Sequence, residues 1–144
     1  MVVFVAVAAT LAFGISRRDI QNRVETIVVS KGGWLSNSDL SDDLRVYPEL
    51  PEIIPEWLHK HLPRRLNYVH AATNEFDDSD VDTIVKLPGL RGVNLSGTKI
   101  TNVGLEKLAN CKSLEYLLLF GVQGIDDDDI AFLKTKLPML RVAR

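Results

Sequence analysis

Apolar residues recur at a constant interval along the C-terminal half of the chain. Leu66, Leu90 and Leu114 are each 24 positions apart, and one extra residue enters the third unit at 122–124. Five further apolar positions follow each leucine in the same order. They are Val69, Ala71, Phe76, Val81 and Ile84; Val93, Leu95, Ile100, Leu105 and Leu108; and Leu117, Leu119, Ile125, Ile130 and Leu133. This repetition predicts stacked copies of one structural unit.

Each unit changes its hydrophobic period once. Its first apolar positions end in strict alternation, which predicts a short strand, and its later ones have the spacing of one helix face. Polar residues precede the predicted helices at Asp77–Asp80, Thr101–Asn102 and Asp126–Asp129, where side-chain oxygens can cap free N–H groups. We therefore predict an α/β fold, a short solenoid with parallel strands on one face and helices on the other. A partial fourth unit begins at Leu140.

The middle unit carries a family resemblance. Leu90 to Leu119, LRGVNLSGTKITNVGLEKLANCKSLEYLLL, resembles the cysteine-containing class of leucine-rich repeats. Ile100 to Leu105 matches the Ile-Thr-Asp-x-Gly-Leu step of that class, with Asn102 in place of aspartate, and Leu108 to Cys111 is similar to its cysteine-bearing helix end. The first and third units lack these features and read as degenerate copies. The resemblance implies a leucine-rich-repeat solenoid that binds other proteins.

Upstream of the repeats, the pattern predicts a capping region. Ile20, Val24, Ile27 and Val28 form one face of an amphipathic helix that Lys31–Gly33 would end. Residues 36–55 are predicted to form an irregular connector, and Trp34 and Tyr47 are candidates for paired short strands. A short helix starting at Pro55 offers Trp57, Leu58 and Leu62 to cover the first unit. The predicted divisions are 1–16 (apolar segment), 17–65 (helix, connector and cap) and 66–144 (repeats).

The first residues form an uncharged run. Val2 to Ile15 carries no charge, and Arg17 and Arg18 follow. As a helix this run would span roughly 21 Å, less than the roughly 30 Å hydrocarbon core. Three interpretations stay open: the end of a membrane anchor that begins upstream, a signal peptide, or a buried helix. The arginine flank favours a single membrane anchor of undetermined orientation, with a cytoplasmic protein as the alternative. This order of elements is also similar to that of short membrane-anchored leucine-rich-repeat proteins of planctomycete-type bacteria.

Composition narrows the function. A net charge of −2 and a pI of about 5.9 do not indicate a nucleic-acid binder, which normally has a basic face. The single cysteine, Cys111, excludes an intramolecular disulfide. At a helix end it fits a packed thiol better than a nucleophile. We expect no cofactor.

Histidines and aspartates offer the only candidates for a metal site. His59, His61 and His70 lack the i, i+4 helical spacing of a paired zinc site. Asp126–Asp129 lacks the alternating ligands of a calcium loop and fits helix capping instead. We therefore expect neither a metal site nor catalysis.

The outward-facing strand residues are the candidate site. By register they include Tyr68, His70, Asn94, Ser96, Tyr116, Leu118 and Phe120, with Val142 and Arg144 outward in the last unit. The third strand is unusual because its outward positions are apolar, which favours binding of a protein or peptide partner. The alternative is that another segment or chain covers them. A second functional hypothesis, a substrate adaptor in a ubiquitin-ligase-type complex, would need an F-box-like helical segment, whereas residues 1–65 offer an apolar run and a proline-rich connector. The oligomeric state is not predicted.

Overall fold

The computed structural model describes residues 17–36 and 66–144. Helix α1 covers residues 17–30. The other elements in those ranges are β1 (Trp34–Ser36), β2 (Tyr68–His70), α2 (Asp78–Ile84), β3 (Gly92–Asn94), α3 (Asn102–Leu108), β4 (Tyr116–Leu118), α4 (Asp127–Lys136) and β5 (Arg141–Ala143). Among these described residues, no helix is both long enough and apolar enough to cross a membrane.

The five strands form one sheet in chain order. β2, β3, β4 and β5 are parallel neighbours, and β1 pairs antiparallel with β2 at one edge. Val69 lies beside Val93, and Val93 beside Leu117. Residues 24 positions apart in the sequence are therefore neighbours on adjacent strands. The predicted α/β class is confirmed, as a five-stranded, mostly parallel sheet with four helices in the described ranges.

The core lies between the sheet and the helices. Val69, Val93 and Leu117 point inward from successive strands and are fully buried. They belong to the same apolar cluster as the inward residues of α2, α3 and α4: Val81, Ile84, Leu105, Leu108, Ile130 and Leu133. Each such side chain stabilises the fold by about 1.5–3 kcal/mol on burial. These predicted inward residues are therefore buried as expected, whereas Leu66 and Ile125, also predicted to point inward, are only half-buried.

Capping residues start the three helices of the repeats as the sequence predicted. Asp77 caps α2, and its carboxylate accepts hydrogen bonds from the backbone and side chain of Ser79, which lower its pKa. Thr101 caps α3, and Asp126 caps α4 in a reciprocal pair with Asp129. The aspartate run therefore satisfies free N–H groups and places negative charge at the helix N-terminus.

Helix α1 packs against the first unit. Val24 and Val28 are fully buried in the common core, as the amphipathic pattern predicted. The helix ends at Lys31–Gly33, where Gly32 has a φ of 80°. A side chain on Gly33 would overlap the carbonyl oxygen of His70, so only glycine lets the chain pass this close to β2.

Strand β1 is the edge strand at one side of the sheet. Trp34 lies opposite His70, and Ser36 opposite Tyr68. The sequence suggested that Trp34 and Tyr47 lie on paired short strands. Trp34 does lie on a strand, and that strand pairs with β2. Tyr47, the capping residues Trp57, Leu58 and Leu62, and the apolar run 2–15 lie outside the described residues. The predicted domain boundaries after residues 16 and 65 fall at the limits of the described residues, so they stay predictions.

Candidate functional site

The strand residues that point away from the core form rows across the sheet. One row contains Tyr68, Gly92, Tyr116 and Arg141, and the next contains His70, Asn94, Leu118 and Ala143. Ser96 and Phe120 meet beyond the strand ends, where the Phe120 N–H donates to the Ser96 hydroxyl at 3.2 Å. The structure thus brings the seven predicted site residues onto one face.

The apolar part of this face belongs to β4. Leu117 and Leu119 point into the core, so strand alternation directs Tyr116 and Leu118 outward. Phe120 follows two residues beyond Leu118, outside β4. Tyr116 and Leu118 are half-buried, and Phe120 is 52% exposed. The Phe120 carbonyl also accepts from the Gly97 N–H at 2.8 Å, which fixes the backbone from which this ring projects. Tyr116, Leu118 and Phe120 thus form an accessible line of apolar side chains along the chain, which is called the apolar row of β4 below.

Charged residues border the apolar row. The Arg91 guanidinium donates two hydrogen bonds to the Glu115 carboxylate, at 3.0 and 2.6 Å. These bonds lower the pKa of Glu115 and raise the pKa of Arg91. The Arg141 guanidinium lies over the Tyr116 ring, 5.6 Å from its centroid. Tyr116 therefore presents an amphipathic surface, with an apolar ring and cationic neighbours.

The predicted site residues on β2 and β3 are buried or already in contact with other side chains. Tyr68 is only 2% exposed, so its side chain is not accessible to a partner, and we withdraw it as a contact residue. The His70 ring stacks on Trp34 with 4.6 Å between ring centroids. The Asn94 side-chain oxygen accepts from the Ser96 N–H at 3.0 Å. The accessible apolar surface therefore centres on β4, and a binding role for the remaining six residues stays a prediction.

The last strand differs from the sequence prediction by one position. Val142 and Arg144 were expected to point outward, whereas the register pairs Leu117 with Val142 and makes Arg141 and Ala143 outward. Leu140 is buried like Leu114. Leu117 follows Leu114 by three positions, whereas Val142, which pairs with Leu117, follows Leu140 by only two. Since strand side chains alternate between faces, one missing residue reverses all that follow.

Two features of this face were missed from the sequence. Arg91 and Glu115 occupy equivalent positions one unit apart and carry opposite charges, a signal that the repeat alignment already contained. Arg141 could not have been assigned to this face, because its side depends on the shortened segment after Leu140.

The cysteine and the candidate metal ligands lie elsewhere. Cys111 is buried, its thiol lies 3.7 Å from the carbonyl oxygen of Val85, and burial raises its pKa. This supports the packed-thiol interpretation. His59 and His61 lie outside the described residues. Residues 17–36 and 66–144 contain no cluster of three His, Cys, Asp or Glu side chains that could hold a metal ion.

A groove on the helix side has a different lining. It has a volume of about 480 Å³ and lies between α1 and α2, lined in part by Ile20, Ile27 and Thr83. None of the predicted site residues contributes to it.

The geometry of the described residues is that of a mostly parallel α/β sheet whose outward strand face carries a partly accessible apolar row. No protein-family model, curated protein or solved structure matches the chain.

Proposed function

We propose that this chain is a leucine-rich-repeat protein that binds a protein or peptide partner through the outward face of β4, and that residues 2–15 tether it to a membrane. The constant strand register supports the repeat assignment, because equivalent residues 24 positions apart lie side by side in β2, β3 and β4. A curved array of such units presents its strand residues along one extended surface. The proposal assigns this surface no catalytic step.

The apolar row of β4 is the single observation that carries the binding proposal. Tyr116, Leu118 and Phe120 are adjacent outward positions, and Phe120 exposes about half of its surface. Aromatic side chains on a rigid backbone lose little conformational entropy on binding, and they often supply most of the energy of an interface.

The charged border gives the surface selectivity. Arg91 and Glu115 hold each other by two hydrogen bonds, and Arg141 lies over the Tyr116 ring. Charges at the rim of an apolar patch mainly exclude wrong partners and accelerate encounter, while the apolar centre supplies affinity. We therefore expect affinity to depend on Tyr116 and Phe120, and its salt dependence on the charged border.

The test compares variants on two faces of the protein. Affinity capture with the full chain identifies binding proteins, and their affinity is then measured for wild type, Tyr116→Ala and Phe120→Ala. Each substitution is expected to weaken binding by about 30-fold, the effect of losing roughly 2 kcal/mol at an interface hot spot.

Phe132→Ala is the matched control. Phe132 is 46% exposed, close to Phe120, but lies on α4 beside Lys136. It should leave binding unchanged, and all three variants should keep the circular-dichroism spectrum of the wild type. Equal losses for Phe120→Ala and Phe132→Ala, or no loss for Tyr116→Ala and Phe120→Ala, would remove β4 as the binding surface.

The membrane tether has a separate test. The uncharged run Val2 to Ile15 followed by Arg17 and Arg18 supports it. Deletion of residues 2–15 should move the protein from the membrane fraction to the soluble fraction, while an Arg17→Lys control, which keeps the charge, should stay with the membrane. Identical fractionation of the deletion variant and wild type would exclude the tether without affecting the β4 proposal.

A further inference from the structure

Within residues 17–36 and 66–144, β1 and β5 are the two edge strands of the sheet, and no strand pairs with the outer edge of either. β1 is antiparallel to its neighbour, whereas β5 continues the parallel series of the repeats. The Arg141 N–H donates to the Glu115 carbonyl, and the Ala143 carbonyl accepts from the Leu119 N–H, both at 2.8 Å. Because successive residues of a strand direct their backbone groups to opposite sides, the N–H and C=O of Val142 point to the uncovered edge.

The apolar core also ends at this edge. Val142 occupies the register position of Val69, Val93 and Leu117, which are fully buried, but Val142 is only half-buried. Ile125 packs against the same end of the core and is half-buried as well. An added strand would cover this apolar surface with the side chain that lies beside Val142.

The charge pattern specifies what the added strand should carry. Arg91 bonds Glu115 on the neighbouring strand segment, and the Arg141 N–H donates to the Glu115 carbonyl, so the charges alternate across the sheet and end on the cation Arg141. Arg144 is bonded to Asp127 and to the Ile125 carbonyl, so Arg141 alone carries the charge argument. The next strand would continue the alternation with an acidic side chain beside Arg141. A second copy of β5 fits less well, because its strand Arg141–Ala143 has no acidic side chain, and antiparallel pairing centred on Val142 would place an alanine beside Arg141.

We propose that the outer edge of β5 binds an extended segment of a partner protein, with an acidic side chain beside Arg141 and an adjacent apolar side chain beside Val142. The backbone groups of Val142 supply the hydrogen bonds, as in strand addition to other sheet edges. This edge shares Arg141 with the border of the β4 face, but its backbone pairing uses none of the outward side chains of β4, so the inference does not depend on the proposed function.

The experiment uses the full chain and a short blocked, fluorescently labelled peptide in which valine and glutamate alternate. Fluorescence anisotropy should show saturable binding, about fivefold tighter than for the same peptide with lysine in place of glutamate, because attraction to Arg141 is replaced by repulsion. Arg141→Glu should reduce or reverse that preference.

Backbone pairing is tested by two independent changes. Val142→Pro removes the outward N–H but no bond to β4, and proline is tolerated at such edge positions. It should weaken glutamate-peptide binding at least about tenfold, while Val142→Thr, which keeps the N–H and the branched shape, should bind as wild type does. Methylating the peptide's backbone nitrogens should abolish binding to the wild-type protein, which needs no variant to fold.

Four results would overturn the proposal. They are absence of peptide binding, equal binding of the glutamate and lysine peptides, full binding by the methylated peptide, and full binding by a folded Val142→Pro variant. Sedimentation provides a further check, because a wild-type dimer that Val142→Pro dissociates would assign the edge to a second copy of the chain instead.

Discussion

Asp78 links one unit to the next, and replacing it by alanine tests the physical basis of the stacking. Its carboxylate accepts hydrogen bonds from the Thr101 N–H at 2.8 Å and from the Thr101 hydroxyl at 2.6 Å. Asp78 therefore joins the first turn of α2 to the residue that caps α3. Gly104 lies against the same carboxylate, since a side chain at that position would collide with it.

The magnitude follows from these contacts. A hydrogen bond to a charged group contributes about 1.5–3 kcal/mol when it is protected from water. Asp78 and Thr101 are only half-buried, so water replaces part of the loss. We expect Asp78→Ala to lower the free energy of unfolding by about 2 kcal/mol, which corresponds to roughly 8 °C in Tm at about 4 °C per kcal/mol.

The assay is thermal and urea unfolding followed by circular dichroism, with two comparison variants. Asp82 lies on the same helix, and its carboxylate also contacts the next unit, where it forms an ion pair with Lys107 at 2.9 Å. The Asp82 side chain is 55% exposed. Asp82→Ala should therefore cost less than about 1 kcal/mol. Asp78→Asn keeps an acceptor for the Thr101 N–H and should fall between Asp78→Ala and wild type. Equal losses for Asp78→Ala and Asp82→Ala would refute the reasoning.

Two further predictions concern the cap and the charged border. Gly33→Ala should cost about 2–3 kcal/mol, because its methyl group would overlap the His70 carbonyl. Gly97→Ala, which has open space but a φ of +69°, should cost about 1 kcal/mol, and urea midpoints that rank the two alike would contradict this. Arg91 lowers the pKa of Glu115, so Glu115 stabilises the fold above its ordinary pKa and loses that contribution as pH falls through the lowered value. Glu115→Gln should therefore reduce the difference in unfolding free energy between about pH 7 and about pH 3. The reduction should be less than about 1 kcal/mol, because both side chains are well exposed. Urea unfolding at the two pH values measures it, and an unchanged difference would contradict the prediction.

The sequence predicted those parts of the fold that local periodicity determines. Val69, Val93 and Leu117 are inward because each belongs to a short alternating run at a fixed interval, and the structure places them side by side. Asp77, Thr101 and Asp126 cap helices because short oxygen-bearing side chains satisfy the first free N–H groups. These inferences needed only spacing and residue type.

Long-range contacts determine the remainder. The pairing of β1 with β2 depends on contacts between distant residues, such as Ser36 and His70, which are 34 positions apart. No local pattern indicates such a contact. The burial of Tyr68 depends on such tertiary contacts as well. For the candidate site, the apolar row of β4 was predictable from alternation, whereas the accessible share of each side chain was not.

Arg141 shows why the two proposed surfaces must be tested with different residues. It borders the apolar row through the Tyr116 ring and also lies on the strand whose outer edge is uncovered. An Arg141 variant can therefore weaken binding at either surface and does not distinguish them. Phe120 lies away from that edge, and the outward backbone groups of Val142 take no part in the β4 row. A partner lost with Phe120→Ala and kept with Val142→Pro must bind the face, and the opposite result must indicate the edge.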